Sequence, residues 1–588
     1  MLGNVLRFVA GVRVEQGQEA EESMAAESNS TTNNDAPANN RNKVGMVMDI
    51  SETSWVAGIM PVCDAPRFPY SRPEFLYLLS EDDLTISGDQ TTRPVLVPKD
   101  PLRMPMFAGY AETINSGKTD RNEDQATARV LNLTPKCSGG ETASGRRRNH
   151  FLGGGAGSSD GTPKTEPIKR RAVGLSPSSG ENLEQEGLLS SGSFVRRHSD
   201  EDMLAEIRTE ATEQESVSEN GYKAEAVYFA VFDGHAGTGA SLMAANCLHE
   251  HIRDRVCQVL DAILDLDKMD ESKAHGRRAP AGSSSAGSYS LMSRKVNVDG
   301  LIVGALEAAF VDMDEQIQEE KMLWRISGGC AALAVLFFMG KLYVANAGDC
   351  RALLSCGRRI EPMSTDFTPE NERKRLQFLA FRQPDLLSRR FTRLEYGKSL
   401  TRKDLRKKAL YRDWYMDGWT QKTIREADLR PPMISENTRK SRLLNTIGVT
   451  RGFGDHHLVT VDDNIPIKPF LLPVPEVKIF DLNTLDVLTD RDVLIMASDG
   501  LWDVLSNEEV ANIVNSTLGQ YGVDDLTKYT LAAQDLVVAA RGQPGGGRRW
   551  CPTEEGGRAS GDDVTVFVVP LKFALCSSPE DDDVEILQ

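Results

Sequence analysis

The chain has 588 residues, of which 40% are hydrophobic and 26% are charged, a balance that is ordinary for a soluble protein and a length that allows two or more domains. Its net charge of -18 argues against general nucleic-acid binding, because the phosphate backbone would be repelled. No apolar run approaches the length of a membrane-spanning helix. The 9 cysteines are scattered and odd in number, without a Cys-x-x-Cys pair, so we expect a reducing compartment and neither a zinc site nor a disulfide framework.

The first segment, residues 1–14, places five apolar side chains on one helical face, with Asn4, Arg7 and Gly11 opposite. It is too short and too interrupted to span a membrane. Two interpretations stay open, an amphipathic helix on a membrane surface and a simple disordered tail. The first predicts a cytoplasmic protein with peripheral contact to an internal membrane such as the Golgi.

Segments of low apolar content divide the rest of the chain. Residues 15–66 are predicted to be a disordered tail, and residues 138–220 and 268–297 to be disordered insertions, because they cannot bury enough surface to offset the entropy of ordering. Residues 573–588 form an acidic tail. The ordered domain is expected over residues 67–572, interrupted by these insertions.

Apolar periodicity predicts both strands and helices in this domain. Ser506 and Glu509 form a capping-box pattern before one helix, and Met339-Gly340 between two strands indicates a hairpin. We therefore expect an α+β fold with antiparallel sheets flanked by helices, and no fingerprint of a nucleotide-binding loop is present. The predicted strands are 227–232, 331–338, 341–346, 493–497 and 564–569, and the predicted helices are 238–266, 301–319 and 506–517.

Four carboxylate motifs lie far apart in the chain, three of them beside predicted strands. Acidic side chains next to glycines that allow close backbone approach indicate oxygen ligands around a hard divalent cation. Two Mg²⁺ or Mn²⁺ ions in such a site can bridge a water, lower its pKa and neutralise phosphoryl oxygens, so that phosphate esters are hydrolysed. Each motif alone is more often a turn or polar loop, and spacing alone leaves the two interpretations about equal. The motifs are Asn122-Glu123-Asp124, Asp233-Gly234-His235, Ser498-Asp499-Gly500 and Gly561-Asp562-Asp563.

The second motif is placed to hold both ions. Asp233 is expected to bridge them, and the carbonyl of Gly234 adds a ligand at the same turn. Glu123 is expected on one side of the site, and Asp499 and Asp562 on the other.

Hydrolysis also needs an acid for the leaving oxygen and a cation for the phosphate. His235 is placed to act as general acid, although a lone histidine after glycine is more often structural. Lys118 or Arg121 is suited to bind the substrate phosphate.

With further motifs in the same order, the chain resembles the metal-dependent serine/threonine phosphatases of type 2C, the PPM family. The resemblance implies a β-sandwich of two antiparallel sheets covered by helices, with the metals in a cleft at one end. It implies that Asp233, Asp499 and Asp562 bind one metal, and that Glu123, Asp233 and the Gly234 carbonyl bind the other. The further motifs are Ser327-Gly328-Gly329-Cys330-Ala331, Ala345-Asn346-Ala347-Gly348-Asp349, Thr450-Arg451-Gly452-Phe453-Gly454-Asp455 and Gly500-Leu501-Trp502-Asp503.

The resemblance also implies that Asp349 helps to hold a weaker third ion, and it includes departures from the family pattern. Cys350 stands where serine is usual, a change that keeps size. Asp563 stands where asparagine is frequent and adds negative charge. The phosphate-binding arginine of many members falls at or near Thr119, so Lys118 is expected to take its place.

A basic segment before the Thr450–Asp455 motif is predicted to form a flap subdomain over residues 371–440. Residues 371–430 hold 17 Lys/Arg and 8 Asp/Glu, a net charge of about +9. Such a segment suggests docking of an acidic, phosphorylated partner, and the alternative is a solvated flap that only covers the core. The expected docking cations are Arg402, Lys403, Arg406 and Lys407, and the accompanying aromatic residues are Phe378, Phe381, Phe391, Tyr411, Trp414 and Trp419.

Residues 72–76, 379–381 and 410–414 are similar to the branch of the family that carries a long insertion at this place. Members of that branch resemble phosphatases that act on phosphothreonine in the switch region of Rab GTPases. The resemblance therefore implies this substrate class.

Two functions stay open, an active phosphatase and a pseudophosphatase that binds a phosphoprotein through the flap. The full set of acidic ligand positions favours the enzyme, because clustered like charges repel one another without a metal. A nucleic-acid function has no motif to support it. Ser199, with basic residues before it and acidic residues after it, is a candidate regulatory phosphorylation site.

Overall fold

In a computed structural model of the protein, the described residues are 70–135 (except Leu79), 224–274, 296–435, 440–485, 487–545, 550–553 and 557–574. The predictions for residues 1–14, 15–66 and 138–220, and for Ser199, lie outside these ranges. No helix among the described residues combines the length and the apolar content that crossing a lipid bilayer requires.

Strands account for the centre of the fold. The predicted strand at 493–497 is confirmed at both ends, and the other four predicted strands are confirmed with shifted or longer bounds. The described strands are β1 (Gly109–Thr113), β2 (Gln125–Leu133), β3 (Ala224–His235), β4 (Gly329–Phe338), β5 (Lys341–Ala347), β6 (Arg351–Cys356), β7 (Arg359–Pro362), β8 (Glu395–Tyr396), β9 (Lys408–Arg412), β10 (Thr420–Thr423), β11 (Ile434–Ser435), β12 (Arg442–Leu443), β13 (Phe453–Gly454), β14 (Glu476–Asp481), β15 (Val493–Ala497), β16 (Gln543–Pro544), β17 (Trp550–Cys551) and β18 (Val564–Pro570).

Two antiparallel sheets form a sandwich, as expected. One has the strand order β14-β5-β4-β3-β2, with β13 also paired to β4, and the other has the order β1-β18-β15-β6-β7. Successive side chains of a strand point to opposite faces, so Phe229 and Val231 of β3 meet Met496 and Phe567 of the other sheet in the core between the sheets. The Met339-Gly340 hairpin is confirmed by the antiparallel pairing of β4 with β5.

Helices cover both outer faces of the sandwich. On the first sheet, Leu248 and Phe310 pack against Tyr228 and Phe232, and on the second sheet two further helices bury Ile495. The four-layer arrangement confirms the expected α+β class. The described helices are α1 (Glu81–Ser87), α2 (Gly239–Ala274), α3 (Val298–Trp324), α4 (Arg373–Arg382), α5 (Asp499–Trp502), α6 (Asn507–Leu518) and α7 (Lys528–Arg541).

The bounds of these helices correct one sequence prediction and confirm another. The insertion predicted at 268–297 was drawn too wide: α2 continues to Ala274, because this stretch has no Gly or Pro to end it, and α3 begins at Val298 with Asn297 as its N-cap. The capping box of α6 is confirmed, since Ser506 and Glu509 bond each other's backbone N–H groups.

The end of the domain also lies slightly beyond the predicted residue. Phe573 and Ala574 were assigned to an acidic tail from residue 573 onward, yet both pack against the sandwich core. They follow the single turn Leu571–Phe573 at the end of β18, and their apolar side chains explain why they stay with the domain.

The flap has a small core and a small sheet of its own. Strands β10, β9 and β8 form a three-stranded antiparallel sheet, whose buried side chains are Tyr396, Ala409 and Ile424. At the base of the flap, Leu376 of α4 packs with Leu443 of β12 in a separate cluster. The charge-based prediction of a flap described its surface but contained none of these strands.

A buried ion pair joins the start of the domain to the sandwich. The Arg72 guanidinium donates two hydrogen bonds, of 2.8 and 2.6 Å, to the Glu112 carboxylate of β1, and each side chain is 1% exposed. The same guanidinium donates to the Asp124 carbonyl at 2.6 Å. Because both charges are removed from water, each depends on the other.

We therefore expect Arg72→Leu to lower the free energy of unfolding by about 3–5 kcal/mol, the usual cost of leaving one charge of a buried pair without its partner. The matched control is Arg103→Leu, whose side chain is 78% exposed beside Asp100 and which should cost less than about 1 kcal/mol. Urea denaturation of the three proteins measures both values. Equal stability of the two variants would contradict the assigned role of Arg72.

Candidate active site

The acidic motifs meet at one end of the sandwich because of the strand pairing. Asp233 lies near the end of β3, and Glu123 lies two residues before β2. These strands are antiparallel and pair Gln125 with Phe232, so the start of β2 lies beside the end of β3. The first sheet thus brings Glu123 and Asp233 to the same edge.

The second sheet supplies the other acids to this end. Asp499 opens α5 directly after β15, and Asp562 lies two residues before β18. β15 and β18 pair Ala497 with Val566, which brings the two acids to neighbouring positions. Asp349 lies in the connection from β5 of the first sheet to β6 of the second.

The carboxylates of the centre are close enough to share a cation. One oxygen from each of Asp233, Asp349 and Asp499 lies within 4.8 Å of the others. Burial, followed by the charges of neighbouring acids led by Asp499, raises the pKa of Asp233, and burial and Asp499 raise the pKa of Asp349 to about 7. All-oxygen donors held this close fit a hard divalent cation, whose charge would relieve their repulsion.

Glycine is required at the turn of the second motif. A Cβ on Gly234 would lie 2.2 Å from the Glu123 carbonyl oxygen and 2.9 Å from the Ser241 hydroxyl. That hydroxyl donates to the same carbonyl at 2.7 Å, and the Glu123 carboxylate accepts the Gly237 N–H at 2.6 Å. Glu123 is therefore held against the turn that carries Asp233 and Gly234, as the metal assignment requires.

A cavity of about 530 Å³ opens over these acids. Asp233, Gly234, His235, Asp349, Asp499 and Asp562 line it, as does Lys118. The Lys118 ammonium donates to both carboxylate oxygens of Asp562 at 2.7 Å, and the charges of Asp562, Asp233 and Asp499 outweigh burial and raise the pKa of this lysine.

The other predicted phosphate ligand lies elsewhere. Arg121 is exposed, is absent from the cavity lining, and has its guanidinium carbon 4.6 Å from the centre of the Tyr70 ring. Of the two predicted cations, the described structure brings Lys118 alone to the acids.

Asp563, which sequence reasoning treated as added negative charge, has a structural part in the site. One of its oxygens accepts the Asn115 N–H at 2.8 Å and the Asn115 side-chain amide at 3.1 Å, and the other accepts the Glu123 N–H at 3.1 Å. Burial raises the pKa of Asp563 to about 6. The carboxylate ties the loop before β18 to Asn115 and to Glu123 of the first motif.

His235 has an acidic partner that the sequence analysis quoted within a motif but gave no role. Its Nε2 lies 2.6 Å from Asp455 Oδ2, and the Asp455 side chain is 3% exposed. Burial disfavours the imidazolium, but the hydrogen bond and charge of Asp455 outweigh it, and the pKa of His235 is raised.

A second lysine, missed by sequence reasoning, also reaches the acids. The Lys440 ammonium is bonded to Asp499 and lies 2.9 Å from Asp503 Oδ2. Lys440, Arg442 and residues 446–449 belong to the segment that returns from the flap, and they line the same cavity. The signal in the sequence was only its position shortly before the Thr450–Asp455 motif.

Comparisons with known proteins agree with this geometry. The family model described as Protein phosphatase 2C matches residues 196–382 and 429–543, and the interval between these matches falls within the flap. A solved serine-threonine phosphatase 2C from Toxoplasma gondii is 16% identical to this chain, and the match covers 58% of this chain and 84% of that one, with a TM-score of 0.29.

Two curated relatives are similar over most of their length. Protein phosphatase 1H of Homo sapiens is 42% identical over 526 residues, which cover 86% of this chain and 91% of that protein. Protein phosphatase 1J of Mus musculus is 37% identical over 509 residues, which cover 85% of this chain and 86% of the relative. The chain therefore belongs to the protein phosphatase 2C family and is a metal-dependent serine/threonine phosphatase.

Proposed function

We propose that this phosphatase removes phosphate from phosphoserine or phosphothreonine of a protein partner that docks on the flap. The observation that carries the proposal is the continuity of the two surfaces: the segment returning from the flap lines the acidic cavity. A protein bound to the flap would therefore lie next to the reacting phosphate.

The acids provide for Mg²⁺ or Mn²⁺, two ions and a weaker third in this proposal. Asp233, Asp499 and Asp562 would hold one ion, and Glu123, Asp233 and the Gly234 carbonyl the other. Bound ions of this kind supply a nucleophilic water and neutralise phosphoryl oxygens. Asp349 is the expected ligand of the third.

His235 is the proposed catalytic acid. In the imidazolium, the Nε2–H is directed to Asp455, so the Nδ1–H is the proton that can pass to the leaving oxygen. Water adds to phosphorus, the bond from phosphorus to the serine or threonine oxygen breaks, and that oxygen takes the proton. The proton released by water restores the imidazolium.

Lys118 is the proposed phosphate-binding cation. Its ammonium, with a side chain 54% exposed at the cavity, has Asp562 as its partner. When the negative charge of Asp562 is neutralised by a bound cation, the ammonium becomes available to an incoming phosphoryl oxygen. Arg121 would need to leave the Tyr70 ring to do the same, which makes Lys118 the better candidate.

The flap offers the docking surface. Arg402, Lys403, Arg406 and Lys407 are exposed around the turn that precedes β9. Aromatic side chains accompany them: Phe378 is 43% exposed, Phe381 is 46% exposed and Trp419 is 42% exposed, whereas Phe391 is 6% exposed and belongs to the base of the flap. Exposed aromatic and basic side chains together suit an acidic protein surface.

A phosphothreonine in the switch region of a Rab GTPase is the substrate class that we propose, on the strength of the flap-bearing branch that the sequence resembles. A folded GTPase would present its phosphate on a protein surface, and the flap supplies exposed basic and aromatic side chains, with its return segment lining the cavity. The relatives' names identify them as protein phosphatases and carry no substrate.

Membrane contact through residues 1–14 stays a prediction from sequence. Deleting these residues should abolish co-sedimentation of the full chain with liposomes, because the apolar face is lost. Equal sedimentation of both proteins would contradict the amphipathic helix.

The pH dependence of turnover should report the bond between His235 and Asp455. Asp455 raises the pKa of His235, so Asp455→Asn should lower that pKa, and the imidazolium is then lost at a lower pH. Since the acid must be protonated to act, the falling basic limb of kcat/KM should move to lower pH in the variant.

Para-nitrophenyl phosphate, titrated at saturating Mn²⁺, measures this limb. The control is Asp463→Asn, which removes a carboxylate from the same part of the chain, where it lies 2.7 Å from Arg390. If the basic limb keeps its position in both variants, His235 is not the titrating acid.

Charge reversal on the flap should separate docking from chemistry. We expect the variant in which four cations become glutamate to lose at least about tenfold in kcat/KM on a phosphorylated protein substrate, because the attraction to an acidic partner becomes repulsion. Hydrolysis of para-nitrophenyl phosphate should stay within about twofold of the parent. The four changes are Arg402→Glu, Lys403→Glu, Arg406→Glu and Lys407→Glu.

The control reverses four exposed cations outside the flap, so that its net charge equals that of the flap variant. It should change the hydrolysis of neither substrate. Asp233→Asn provides the inactive reference. Equal losses on both substrates would contradict docking, and a folded parent without any Mn²⁺-dependent hydrolysis would favour a binding-only protein. The control changes are Lys99→Glu, Arg253→Glu, Arg325→Glu and Arg358→Glu.

A further inference from the structure

Lys440 places a positive charge among the acids of the cavity. Its ammonium is bonded to the Asp499 carboxylate and lies 2.9 Å from Asp503 Oδ2. Asp499 is 17% exposed and Lys440 is 41% exposed, and both side chains line the cavity. Asp349, which shares the 4.8 Å cluster with Asp499, is the third acid near this ammonium.

One of the two carboxylates that Lys440 contacts, Asp499, is one that a divalent cation would use. An ammonium bonded to a carboxylate competes with a metal ion for the same negative charge, so the ion binds more weakly while the ammonium stays in place. Lysine suits such competition, because its charge is compact and its long side chain can withdraw without moving the backbone. Lys118 and Asp562 form a second pair of this kind on another wall.

We propose that Lys440 is a tethered competitor for divalent cations at Asp499, so that metal loading and the position of the segment returning from the flap are linked. The inference rests on the proposed role of Asp499 as a metal ligand. The new element is the role of Lys440, a residue that lies outside the motifs of the family pattern.

The return segment is built so that a change at Lys440 reaches the flap. Lys440 lies two residues before β12, which pairs with β11. Leu443 of β12 is fully buried at the base of the flap, in the cluster that includes Leu376 of α4. Release of the ammonium therefore acts on a segment that is attached at Leu443 to the cluster at the base of the flap and that lines the cavity over residues 446–449.

Linkage of this kind is reciprocal. If metal binding displaces the ammonium, then a partner that draws Lys440 away from Asp499 strengthens metal binding. Bound metal strengthens the binding of that partner by the same factor. A protein docked on the flap next to the return segment is placed to do this.

Arg442 offers a matched control. It lines the same cavity two residues further along and carries the same charge. Its Nη1 donates to the Thr446 carbonyl at 2.8 Å, within its own turn. Removing its charge changes the overall field of the cavity about as much as removing that of Lys440 but frees no carboxylate.

Isothermal titration of the metal-free full-length protein with Mn²⁺ tests the proposal. In Lys440→Met we expect one resolved Mn²⁺ step, the one to which Asp499 contributes, to become about tenfold tighter, and in Arg442→Met we expect a change of less than about twofold. The rise in melting temperature on adding Mn²⁺ should also be larger for Lys440→Met than for the parent, because its metal-free form holds unpaired acids. Lys440→Gln repeats the test with a polar side chain if the methionine variant fails to fold.

The outcomes distinguish the lysine from the metal site. Identical isotherms for the parent, Lys440→Met and Arg442→Met would overturn the role of Lys440 while leaving the metal site intact. Equal tightening in Lys440→Met and Arg442→Met would also overturn it, because a general field effect would then suffice. A parent that binds no Mn²⁺, or an Asp233→Asn variant that binds it as the parent does, would overturn the metal assignment itself.

Discussion

Repulsion between the carboxylates that both sheets deliver to one end of the sandwich is the constraint on which this molecule depends. Asp233, Asp349 and Asp499 approach within 4.8 Å, and their partial burial weakens the screening of their charges by water. Such a cluster is stable only with cations close by. Lys118 and Lys440 supply them within the chain, and divalent ions supply more charge from solution. The ammonium groups therefore compensate the same repulsion that a divalent cation would relieve.

Backbone groups support the acids where cations do not. The Asp563 carboxylate accepts three N–H groups, from Asn115 and from Glu123, and so fixes the loop before β18 against the start of β2. The buried Arg72 reaches the carbonyl of Asp124 from the other side. These contacts attach Glu123 and its neighbours to the packed sheets and so hold them in fixed positions. The backbone that carries the acids is therefore held in place against the repulsion between their carboxylates.

Many strands and helices of this arrangement could be predicted from sequence, because short local patterns of apolar and polar residues mark them. The run at 493–497 is fully buried and bounded by polar residues, and the capping box at Ser506 is visible in four letters. The acids that line the cavity were predicted because their motifs occur in order. Partners that meet only in three dimensions were missed: Arg72 and Glu112 are 40 residues apart, and Lys440 and Asp499 are 59 apart. No local pattern marks such pairs.

The flap shows the same limit of prediction from local sequence patterns. Its charge was evident from composition, but its three short strands have no periodicity long enough to be recognised. Tyr396, Ala409 and Ile424 give it a core of its own, separate from the sandwich. Because that core does not include the acids, side chains on the flap surface can change without disturbing the chemistry. The return segment joins the base of the flap to the acidic cavity, where Lys440 lies against Asp499.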